Sequence, residues 1–185
     1  YTKKEETSPK TGWSFNPEKK EYLGYGEVHF RNYTKSFLET LGKEFEIVYD
    51  PACSTGEFLS DYKNSFPKSH TIGHDLSQEM IDYAKDYVDE SFCCNAFDSP
   101  LKDNSVDLMF LRFLNSEVVN TQMAYKIFKV LVKKVKKHGI IICFGHTPVL
   151  IRKEMFIKYG LTPIICNGYD KERNAIFQYY VFEVK

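Results

Sequence analysis

The run Asp50-Pro51-Ala52-Cys53-Ser54-Thr55-Gly56 holds the residue types best suited to gripping a ligand. An apolar stretch, Phe45-Glu46-Ile47-Val48-Tyr49, leads into it, and Glu57-Phe58-Leu59 leads out with helical character. A strand that enters a helix through small residues brings backbone N–H groups and a helix N-terminus close to a ligand. Asp50, at the strand end, adds a fixed negative charge. That combination suits a nucleoside with a positive or polar group; a pyrophosphate would want the glycine pattern of a dinucleotide site. Cys53 is read as a small packing residue rather than an activated thiol. Two more side chains follow apolar runs. Arg112, after residues 106–111, could pair with a substrate carboxylate or form a surface ion pair. His146, after residues 139–144, could act as a base near neutral pH, although a lone His is more often structural. His29, His70, His74 and His138 have weaker cases.

The elements that would position these groups alternate in a regular way. Apolar residues at 28, 30, 33, 37, 38 and 41 predict a helix over 27–41, ended by Gly42. After the first strand and turn, a helix is predicted over 57–65 and a second strand over 71–75. Ser77 is the expected cap of a helix whose apolar face is Met80, Ile81, Ala84 and Val88. Strands follow at 91–94 and 106–111, then a long helix over 117–136, so that the basic run 133–137 is read as its solvated end. Residues 139–144 have the continuous apolar character of a buried parallel strand. A helix over 149–159, ended by Gly160, precedes two hairpin strands over 161–166 and 175–184. Five strand–helix units and a hairpin describe an α/β fold, a three-layer Rossmann-like sandwich. Its sheet is seven-stranded and mostly parallel, with an antiparallel C-terminal hairpin. Residues 1–21 read as a loose N-terminal arm and 22–185 as a single domain.

With 185 residues, 43% apolar and 27% charged, the composition is that of an ordinary globular protein with one core. The 25 basic residues balance 25 acidic ones, so there is no bulk attraction to nucleic acid. No stretch approaches the roughly 18 consecutive apolar residues that a bilayer demands. Five cysteines without a CxxC pair argue against structural zinc or a disulfide framework. A reducing, cytoplasmic location is therefore expected, with neither a metal nor a membrane partner.

Three motifs in order give the chain a resemblance to the class I S-adenosylmethionine-dependent methyltransferases, over roughly residues 27–185. The first is the 50–56 turn, where the family usually shows an acid and three alternating glycines; Ala52 and Ser54 replace the first two and Gly56 keeps the third. The second is Asp75, 19 residues beyond Gly56, whose carboxylate would by this resemblance accept both ribose hydroxyls. The third is Asn95-Ala96-Phe97-Asp98-Ser99-Pro100-Leu101-Lys102-Asp103-Asn104-Ser105-Val106-Asp107. There the resemblance puts Asn95 on the adenine amino group and the next backbone N–H on a ring nitrogen. It implies S-adenosyl-L-methionine across the ends of the first four strands. The implied contacts are Tyr25, Arg31, Asp50, Ala52, Ser54, Gly56, Asp75, Leu76, Asn95, Ala96, Phe97 and Leu111, with Arg112 and His146 as catalytic candidates.

The expected activity is methyl transfer to a small-molecule acceptor, in secondary metabolism or carrier-bound. Transfer of a different group from the same cofactor, or a degenerate fold serving as a partner subunit, are the alternatives. Residues 145–149 leave no room for a substrate-covering insertion. The acceptor would then be covered by the N-terminal arm, by the second subunit of a homodimer, or not at all.

Overall fold

The computed structural model describes residues 28–170 and 175–185. The predicted arm and Tyr25 lie outside the described residues. Five parallel strands, β1 (Ile47–Asp50), β2 (His70–Asp75), β3 (Glu90–Cys93), β4 (Val106–Phe110) and β5 (Val135–Gly145), share one sheet with β6 (Leu161–Asp170) and β7 (Ala175–Val184). The order is β3-β2-β1-β4-β5-β7-β6, with β7 antiparallel to both of its neighbours. The chain reverses direction across the sheet between β1 and β4, the point at which open α/β sheets leave a ligand crevice.

Helices cover both faces because β1, β4 and β5 alternate apolar side chains with a period of two. Val48, Leu108, Ile140 and Ile142 meet α1 (Val28–Leu41), α2 (Glu57–Ser65) and α3 (Gln78–Ala84) through Phe30, Leu38, Phe58, Leu59, Tyr62, Ile81 and Ala84. Tyr49, Met109 and Ile141 meet α4 (Thr121–Leu131) and α5 (Lys153–Lys158) through Ala124, Ile127, Phe128, Leu131 and Phe156. The expected three layers and antiparallel hairpin are present.

Several boundaries move. Helix α4 starts at Thr121, where the Asn120 side chain accepts from the Met123 N–H, and it ends at Leu131. A 3-10 turn, Val132–Lys134, leads straight into β5, so residues 135–137 belong to a strand and not to a helix end. Pairing of Val135 with Val106 overrides the helical spacing, and Lys134 and Lys136 form ion pairs with Asp103 and Asp107, each at 2.9 Å. Helix α3 stops at Ala84, short of Val88. Helix α5 is shorter than predicted because residues 149 and 150 are held extended. Val149 bridges Asn115, and the Leu150 N–H donates to the Leu114 carbonyl at 2.7 Å. The connection from β5 to α5 thus covers 146–152, longer than the expected 145–149 yet still without an inserted element. Strand β6 runs on to Asp170, past the predicted end at 166.

Candidate functional site

The turn after β1 is fixed by its own backbone. The Cys53 N–H donates to the His74 carbonyl at 2.9 Å, and the Gly56 N–H donates to the Cys53 carbonyl at 3.0 Å. Ser54 takes the left-handed conformation at φ +53°, where a glycine would be unstrained. Gly56 lies at φ +81° and is itself the N-cap of α2, with no side-chain cap. A Cβ at Gly56 would sit 3.1 Å from the Ala84 Cα and 3.3 Å from the Tyr87 Cβ, so close approach of α3 and positive φ both require glycine. Gly73 answers to the same turn from below. A Cβ there would lie 2.7 Å from the Cys53 Sγ, so strand β2 leaves room for the thiol. Cys53 is buried, and burial followed by the Asp50 and Asp75 charges pushes its thiol up, which fits a packing residue.

Asp50 is 1% exposed and its charge is not free. One oxygen accepts from the Ala52 N–H at 3.1 Å and the other from Arg112 Nη2 at 2.8 Å. Arg112, considered as a grip on a substrate carboxylate or as a surface ion pair, is half-buried and forms an ion pair with Asp50; its guanidinium also lies 4.6 Å from the Phe58 ring centroid and 5.4 Å from that of Phe144. Arg31, on α1, lies 5.6 Å from the same Phe58 ring, so the two arginines converge on one aromatic. His146 sits just beyond β5 with its ring 5.2 Å from Phe30 and 5.4 Å from His29. Phe30 in turn lies 5.5 Å from Phe144. Arg31, Arg112, His29 and His146 therefore surround a floor of Phe30, Phe58 and Phe144.

Asp75 ends β2 half-buried, with its oxygens accepting from the Ser54 N–H at 3.1 Å and the Ser77 N–H at 2.9 Å. Burial pushes its carboxyl up, against the pull of those N–H groups. Each oxygen keeps lone-pair capacity for another donor. Beyond β3, Asn95 caps a single 3-10 turn, Ala96–Asp98, through its side-chain oxygen and the Phe97 N–H at 2.9 Å. Leu76 and Phe97 are half-buried, and Ala96 is buried. Leu111, expected beside the cofactor, has its side chain wholly inside the core on the α4 side.

The structure thus brings Asp50, Ala52, Ser54, Gly56, Asp75, Leu76 and the 95–97 loop to the ends of adjacent strands. Arg31, Arg112 and His146 gather on the other side of the same turn. Sequence reasoning missed the Phe30–Phe58–Phe144 floor, although all three lie beside residues it had singled out. It also missed Tyr49 and His74, each wholly buried and one residue before a ligand-type Asp. Burial holds His74 at about 4, well below the ordinary value of 6.5. A polar residue inside a buried strand was the available signal.

A model of the methyltransferase domain matches residues 49–143. Isonocardicin synthase of Nocardia uniformis subsp. tsuyamanensis is 34% identical over 170 residues, 92% of this chain and 56% of that relative. The chain thus spans little more than half the length of the relative it matches. Among solved structures, the magnesium protoporphyrin IX methyltransferase of Synechocystis PCC 6803 with bound SAM superposes with a TM-score of 0.69 at 11% identity, over 94% of this chain and 87% of that one. The plantazolicin methyltransferase BpumL with SAH gives 0.64 at 11% identity, over 84% and 82%. Both likenesses concern the fold.

Proposed function

The chain belongs to the class I S-adenosylmethionine-dependent methyltransferases, and on that premise we propose that it methylates a small-molecule acceptor, a secondary metabolite or a carrier-bound precursor. The observation that carries this reading is Asp75, a carboxylate held between two backbone N–H groups at the strand end beside the turn. Its remaining lone pairs suit two neighbouring hydroxyls, as on a ribose. Asn95 and the Ala96 N–H supply the acceptor and donor an adenine edge asks for. Leu76 and Phe97 supply the apolar walls. Arg31 and, by resemblance, Tyr25 complete the set toward the amino-acid end. Leu111 supports these contacts only through packing.

When bound, S-adenosylmethionine supplies an electrophilic methyl group on a sulfonium. The chain's own residues hold and orient the two reactants and keep water out, which is the larger part of catalysis for an in-line displacement. Asp50 and Arg112 form an ion pair beside Phe58 and Phe144, so a sulfonium held there would face a dipole and an aromatic floor instead of a bare carboxylate. His146 can take a proton at a ring nitrogen where the acceptor must lose one. The secondary-metabolite setting is supported by the relative whose name is isonocardicin synthase. Its name is that of a synthase, which favours a second reading: transfer of the aminocarboxypropyl group of the same cofactor. Nucleic acid is not the acceptor on this reading, because net charge is zero. Cover for the acceptor falls to the arm over 1–21, to a second copy of the chain, or to neither.

Calorimetric titration with S-adenosylhomocysteine tests the common premise, and absence of binding sinks both readings. Incubation with methyl-labelled S-adenosylmethionine and a panel of small aromatic and amino-acid acceptors separates them. Labelled acceptor with S-adenosylhomocysteine supports methyl transfer; methylthioadenosine in its place establishes the second reading.

A further inference from the structure

Beneath the adenine-side rim lies a chain of buried polar groups that touches no ligand-type residue directly. Tyr49 and His74 are both fully buried. The Tyr49 hydroxyl lies 2.9 Å from His74 Nε2 and donates to Ser99 Oγ at 3.0 Å. The same hydroxyl lies 3.2 Å from His74 Nδ1, so it faces both ring nitrogens, and the Cys94 thiol lies 3.1 Å from Nδ1. Burial keeps the imidazole neutral, with His74 at about 4, and keeps the Cys94 thiol protonated by raising it to about 11.

The ends of this chain are what give it a role. Cys94 and Ser99 bracket Asn95, Ala96, Phe97 and Asp98, the loop after β3. Tyr49 immediately precedes Asp50 on β1, and His74 immediately precedes Asp75 on β2. Four side chains thus tie both feet of the adenine loop to the two strands whose last residues flank the turn. A leucine or valine at either strand position would fill the space without fixing the loop, since apolar contacts are not directional. A polar chain with a buried centre restricts the arrangements that leave no group unsatisfied.

We propose that Tyr49 and His74 are positioning residues for the nucleobase, setting the Asn95–Ala96 edge in register with Asp75 so that adenine is distinguished from other purines. The proposal rests on the cofactor reading above. The experiment compares wild type with Tyr49→Phe, Ser99→Ala and Ser99→Thr. The readouts are calorimetric binding of S-adenosylhomocysteine and of its inosine counterpart, which carries an oxo group for the amino group, and amide hydrogen exchange of the ligand-free protein. Ser99→Ala removes one end of the chain at the loop, so it serves even if the core phenylalanine variant fails to fold. Wild type is expected to prefer the adenosine ligand by about tenfold or more, the range of one hydrogen bond to an unpaired partner. Tyr49→Phe and Ser99→Ala are expected to lose most of that preference and to exchange faster at 95–98, with protection in α4 unchanged. Ser99→Thr, which keeps a hydroxyl, is expected to retain both. Variants that bind more weakly but keep the wild-type preference, or that leave exchange at 95–98 unchanged, overturn the proposal. A wild type that binds neither ligand sinks the cofactor reading instead.

Discussion

Around Asp75 the polar groups of the candidate site are held mainly by backbone, whereas around Arg112 they are held by other side chains. Asp75 leans on the N–H groups of Ser54 and Ser77, and Asn95 on that of Phe97, so each carboxylate or amide is placed by the strand end that carries it. Arg112 is placed by Asp50 and by two aromatic faces from α2 and β5, and Arg31 by the same Phe58. Backbone anchoring fixes a geometry that suits one constant ligand. Side-chain stacking can be re-cut by substitution, which suits the part of a site that meets a variable acceptor. The two sides should therefore fail differently.

The largest effect is expected at Arg112. Replacing it with Leu leaves Asp50 charged, buried and unpaired, a loss of about 3–5 kcal/mol. Urea unfolding measures it, and Arg112→Leu combined with Asp50→Asn should recover a large part. If Arg112→Leu proves no more damaging to stability than Asp75→Ala, the contrast between the two sides collapses. Next comes a pH dependence on the other side. Unfolded His74 takes up a proton below its ordinary 6.5, while the folded state resists until about 4. Stability should thus fall as pH drops through that window, by about 3 kcal/mol from this residue. Denaturation at pH 7 and pH 4.5 reads it, and His74→Leu should show the shallower slope. Asp75→Ala should weaken S-adenosylhomocysteine at least tenfold, about 1.4 kcal/mol, with little change in fold. Unaltered affinity would move the ribose elsewhere. The smallest effect is at Ser54, where glycine relieves the left-handed strain and should raise stability by no more than about 1 kcal/mol, read as a small rise in melting temperature.

Most of the fold was legible because strand and helix carry different apolar periods. What escaped was the junction at 131–137, where single valines separate pairs of lysines at a spacing that continues the helix. Only the pairing of β5 with β4 decides it. The positions gathered around Asp75 were legible for a related reason: each ends a strand or follows one closely in the chain. The Asp50–Arg112 pair was not, because its members are 62 positions apart and meet only through the adjacency of β1 and β4. The same holds for the buried hydroxyl chain, whose Ser99 is 50 positions from Tyr49. Ala52 and Ser54 stand where the family usually shows two glycines. In the folded chain Ser54 adopts the required conformation and its N–H still reaches Asp75.

The absent Cβ of Gly56 joins α2 to α3 at a single point, against Ala84 and Tyr87. Two helices that meet through a hydrogen atom and a methyl group have no slack between them. A larger residue at 84 must displace the start of α2, and with it the donor groups of the turn. The sizes of residues 56 and 84 are consequently one inherited character written at two positions, and drift at either is constrained by the other.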